Sequence, residues 1–73
     1  MEKVVAEFPK NSMEKVVAGT TRYNGKDLFY FRVFFKGKDD NWHPTKKGIT
    51  LSMGCFQDFE KAFTKLTKAI DDM

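Results

Sequence analysis

At 73 residues, with 13 Lys/Arg against 10 Asp/Glu and a net charge of +3, the chain is a single mildly basic domain. A domain this small buries only about 60% of its unfolded surface, so it needs a staple. One cysteine cannot close an intrachain disulfide, and one cysteine with one histidine makes no usual zinc set, which leaves oligomerisation. There is no apolar run of membrane-spanning length, and "MEKVVAEFPK" lacks the basic start and apolar run of a signal peptide, so an intracellular place is expected.

The hexapeptide "MEKVVA" occurs at residues 1–6 and again at 13–18, separated by "EFPKNS" with its turn formers Pro9, Asn11 and Ser12. Two short strands joined by a turn are predicted. From Lys15 to Tyr23 the alternation is strand-like, and Asn24-Gly25 in "YNGKD" is a strong two-residue hairpin signal, because both central positions want positive φ.

"LFYFRVFF", residues 28–35, is aromatic and β-branched and forms the next strand. Period two separates Phe29, Phe31, Val33 and Phe35 from Leu28, Tyr30, Arg32 and Phe34. The arginine among the rings marks the second face as the wetter one. Phe29 and Phe31 are expected under the helix; Tyr23, Tyr30, Phe34, Phe35 and Trp42 are the candidates for exposure.

After the polar loop "KGKDDN", a fourth strand runs from Trp42 to Ser52. Strict alternation would put Lys47 on the face of Ile49 and Leu51 and bury its charge. Gly48 offers a bulge that re-aims it. From residue 53 the period changes: Phe56, Phe59, Ala62, Phe63, Leu66, Ala69 and Ile70 step by three and four, an amphipathic helix over 53–72. Ser52 is the expected N-cap, with Leu51 and Phe56 as its hydrophobic staple. The helix outruns a small sheet, so Phe59, Phe63, Leu66 and Ile70 are expected to meet a second copy.

Residues 1–52 carry ten Lys/Arg against six Asp/Glu, whereas 53–73 carry three against four, so the sheet is the basic part. Paired Lys46 and Lys47 suit either a solvated edge or a polyanion track. No Gly-rich phosphate loop, acid pair or metal set is present. Cys55 and His43 alone do not make a nucleophilic site, so neither an enzyme nor a cofactor is expected.

"YNGKDLFYFRVFF", followed by "HPTKKGITLS" and an aromatic-bearing helix, resembles the single-stranded-DNA-binding domain of the positive cofactor four coactivator family, from about residue 13 onward. The resemblance implies an α+β fold: a curved four-stranded antiparallel sheet (1–52), then one long helix (53–73), Whirly-like and dimeric through the helices. It implies nucleic-acid contacts at Tyr23, Lys26, Arg32, Phe35, His43, Lys46 and Lys47. Lys15, on a strand where the family is usually more basic, and the exposed-ring candidates Tyr30 and Trp42 join that set. The expected partners are single-stranded DNA or RNA, a second copy, and transcription or replication proteins. The expected setting is bacterial cytoplasm or nucleoid, or host cytoplasm for a viral member. A protein-interaction module on the same fold is the alternative.

Overall fold

The computed structural model describes residues 2–73. The start of the first "MEKVVA", at Met1, lies outside the described residues. Four strands, β1 (Lys3–Pro9), β2 (Glu14–Tyr23), β3 (Lys26–Lys36) and β4 (Trp42–Ser52), form one antiparallel sheet in the order β1-β2-β3-β4. A short 3₁₀ turn (Met53–Cys55) then leads into α1 (Phe56–Asp71). The four-stranded sheet and single C-terminal helix agree with the expected α+β fold. Among the described residues no helix is long and apolar enough to cross a membrane.

Asn24 and Gly25 take φ of 51° and 76°, so the β2–β3 hairpin closes through two residues in the left-handed region, as their side chains favour. The first hairpin differs from expectation. β1 does not stop at Ala6 but runs through Phe8 and Pro9, which pair with Val16 and Lys15. A proline is tolerated there because β1 is an edge strand and the missing N–H costs no internal ladder bond. The turn falls at 10–13, where the Lys10 and Asn11 N–H groups both donate to the Glu14 carbonyl, at 3.0 and 3.1 Å.

The helix start also needs correcting. Ser52 precedes the 3₁₀ turn, and its hydroxyl meets Cys55 Sγ at 3.6 Å instead of capping a backbone N–H. Cys55 occupies the N-cap position of α1, which moves Leu51 and Phe56 out of the staple positions. Phe56 packs its ring on the sheet instead: Phe29 lies edge-on to Phe56 and Phe59 at 5.5 and 5.4 Å, and Phe31 stacks on Phe59 at 5.5 Å. Phe59 therefore serves its own sheet. Beyond that first turn α1 leaves the sheet, and Phe63, Leu66 and Ile70 are each more than half exposed.

The two faces of β3 divide differently from the simple alternation. Tyr30, read as a candidate for exposure on the wetter face, is 4% exposed, and Val17 on the same face is 3% exposed. Gly19 makes the space: a Cβ there would meet the Lys3 carbonyl and come within 2.7 Å of Tyr30 Oη. Burial, and then the hydrogen bond from its hydroxyl to the Glu2 carboxylate, push the Tyr30 phenol above its ordinary range. Phe35, a candidate for exposure although it shares the face of Phe29 and Phe31, is 42% exposed because α1 does not reach that end of the sheet.

Candidate nucleic-acid interface

The centre of the basic surface is an irregularity in β4. Arg32 pairs with Gly48 and Phe34 with Pro44, so Thr45, Lys46 and Lys47 span the place of the single residue Val33. Gly48 sits at φ 140°, where a Cβ would strike the Phe31 carbonyl and lie 2.8 Å from Arg32 Cα. The bulge expected at Gly48 is present, and Lys46 and Lys47 are both exposed.

Side chains hold the bulge open. Thr45 Oγ1 donates to the Val33 carbonyl at 2.7 Å and accepts from the Lys47 N–H at 3.1 Å. Arg32 donates to the Thr45 carbonyl at 2.9 Å and to Thr50 Oγ1 at 3.2 Å. Two of the five guanidinium N–H donors are thereby committed to the sheet, and the charge stays at its surface. Thr45 and Thr50 carry no signal of this part in the sequence beyond a hydroxyl beside a strand glycine.

The remaining residues fall into two groups. Alternation along β2 and β3 sets Lys15, Tyr23, Lys26, Tyr30 and Arg32 on the face turned away from α1. Tyr23 is 68% exposed at the hairpin mouth beside Lys26, whereas the buried Tyr30 offers no ring face to a base. Lys15 is occupied locally: its ammonium lies 4.7 Å above the Trp42 ring and 3.3 Å from Glu7. Trp42, 37% exposed, is thus covered on one side by a cation.

Phe35 and His43, a directly opposed β3–β4 pair, lie on the other face, beyond the reach of α1. Their rings are 5.4 Å apart. Glu14 opposes Phe35 from β2, and its carboxyl is held below the usual range by Asn11 first, then Lys10, with a smaller part from the Lys47 charge. Lys47 therefore lies within electrostatic reach of the Phe35 end of the sheet. Among the described residues, Lys26, Lys46 and Lys47 are in no ion pair, so their ammonium groups are available to an anion, while Lys10, Lys15, Arg22 and Lys36 face carboxylates.

An open antiparallel sheet with an exposed basic bulge, bare rings at its ends and one projecting helix defines a class of small sheet-based binding domains. Residues 10–62 match the family described as Transcriptional Coactivator p15 (PC4), and the chain belongs to that family. Solved structures share the fold, among them the following two. A PC4 homologue from Burkholderia pseudomallei K96243, in its orthorhombic crystal form, superposes with a TM-score of 0.80 at 17% identity, over 89% of this chain and 88% of that one. The bacteriophage T5 homologue of the eukaryotic coactivator, implicated in recombination-dependent DNA replication, gives 0.67 at 17% identity, over 97% and 78%. A search of the curated proteins finds no match.

Proposed function

We propose that the chain is a homodimeric single-stranded-DNA-binding protein of low sequence preference, acting inside the cell on DNA opened for transcription, replication or recombination. The observation that carries the proposal is the juxtaposition in β3 and β4 of two rings, the exposed Phe35 and the half-buried His43, with the exposed lysines of the bulge at 45–47. Unpaired strands present phosphates and bare base faces, and lysines with exposed rings are the two features that bind them without reading sequence. Family membership and the DNA-replication role of the phage T5 homologue support the same direction.

The dimer follows from what one chain leaves uncovered. Val17, Phe29 and Tyr30 are its only buried large side chains among the described residues, while Phe63, Leu66 and Ile70 lie 60%, 56% and 55% exposed on one helix stripe. A second copy of α1 covers that stripe and supplies the staple that so small a core needs. The bare apolar residues Val4, Val5 and Phe8 of β1 favour a second reading, a protein-interaction module without nucleic acid.

Titration with fluorescent single-stranded DNA, duplex DNA and RNA of one sequence, at several salt concentrations, separates these. Single strands are expected to bind in preference to duplex, with log affinity falling against log salt by about 0.7 per neutralised phosphate. Absence of single-strand binding at low salt refutes the proposal, and tighter RNA binding redirects it.

A further inference from the structure

The β3–β4 turn contains a carboxylate–imidazole contact that neither the basic bulge nor the core accounts for. Both oxygens of Asp39 lie 3.1 Å from His43 Nε2. The carboxylate is itself held, accepting from the Asn41 N–H at 3.1 Å and from Asn41 Nδ2 at 3.4 Å, an Asx-type turn. Gly37 leaves room for the pair, since a Cβ there would lie 2.8 Å from Asp39 Oδ1 and 2.9 Å from His43 Cδ2 and Nε2. On the neighbouring strand the Phe35 ring lies 5.4 Å from the imidazole, with the planes inclined by 35°.

We propose that Asp39 is a positioning residue for the nucleic-acid face, holding His43 beside Phe35 so that the two rings form one platform for a base. The inference rests on the single-strand-binding reading above and adds to it a residue of the wrong charge for a polyanion site. The hydrogen bond from His43 is the first cause holding the Asp39 carboxyl at about 2, so it remains an ionised acceptor at any working pH. The other charged groups around the platform are Glu14, opposite Phe35 on β2, the Lys36–Asp40 pair of the turn, and Lys47.

Charge and positioning make opposite predictions. A carboxylate beside a phosphate track repels it, so a role in charge alone means that removing Asp39 tightens binding. Positioning means that removing it weakens binding. In the full chain, Asp39→Ala is expected to weaken fluorescent oligothymidylate binding by about threefold to tenfold, part of the worth of one stacked base. Asp39→Asn, which keeps an acceptor for His43 and loses the charge, is expected to bind at least as tightly as the wild type. Gly37→Ala, with every charge intact, is expected to weaken binding like Asp39→Ala.

His43 is the one histidine of the chain, so its imidazole protons are read directly by NMR without DNA. Their Phe35 ring-current shift is expected to vanish in Asp39→Ala and Gly37→Ala and to survive in Asp39→Asn. Asp39→Ala binding as tightly as the wild type, or an unmoved histidine spectrum, overturns the proposal. A wild-type chain that binds no single strand overturns the DNA reading itself, while the histidine spectrum still decides whether Asp39 positions the ring.

Discussion

The two ends of β3 are built from the same material and meet opposite fates. Phe29 and Phe31 are wedged against Phe56 and Phe59, and Phe29 is 7% exposed. Six residues further on, Phe35 has the same side chain and faces the same side of the sheet, yet stands 42% exposed against a histidine. The difference lies in α1, whose first turn docks at one end and whose remainder leaves. Aromatic content therefore does not distinguish buried from exposed rings in this chain; the point at which the helix departs does.

The sharpest test of that contrast is a pair of substitutions. Phe29→Ala should cost about 3–5 kcal/mol in a denaturant melt, enough to threaten a domain of this size. Phe35→Ala should change stability by less than about 0.5 kcal/mol. Its single-strand affinity should nevertheless fall, by up to the roughly 1–3 kcal/mol that a stacked base is worth. Equal stability losses at the two positions would erase the distinction between the ends.

Gly48→Ala comes next. It forces a Cβ into positive φ against the Phe31 carbonyl, with an expected cost of about 1–3 kcal/mol, read in the same melt. Joint replacement of Phe63 and Leu66 by Asp is expected to convert a dimer to a monomer in analytical ultracentrifugation, while the Phe29–Phe56 packing keeps the sheet folded. An unchanged mass would show that the bare part of α1 is not where copies meet. Joint replacement of Lys46 and Lys47 by Ala should flatten the salt dependence by about 0.7 for each phosphate that is no longer neutralised, and weaken all sequences alike.

The smallest effect concerns acid. The Asp39 carboxyl is held at about 2 against an ordinary 3.8, so its hydrogen bond with His43 stabilises the fold above about pH 4 and ceases to do so as pH falls toward 2. Asp39→Asn should remove that part of the acid limb in melts between pH 5 and 2, leaving the neutral range little changed.

Much of this was legible in the sequence, for reasons that can be named. Asn24-Gly25 declares its turn because few other dipeptides accept two positive φ values. Gly48 declares its bulge because strict alternation would put the Lys47 charge on the face of Ile49 and Leu51. The period change after Ser52 marks the helix. Tyr30 misled because alternation knows one sheet and not what crosses it: its burial depends on Gly19 and on the backbone at Lys3, eleven or more residues away in the chain. Pro9 misled because a proline ends an interior strand but not an edge. Asp39 read as an ordinary loop residue until the turn brought its carboxylate to His43.

The free side of β1 has a consequence for how far self-association can go. A sheet edge is a template for adding strands, and this one is exposed along its whole length. However, its ladder is interrupted between Val4 and Ala6, and Pro9 removes a donor from the row. A fifth strand would find a broken line of partners. Fibre-like growth along the edge is thus discouraged, which suits the dimer proposed through α1, a closed pair that satisfies itself and stops.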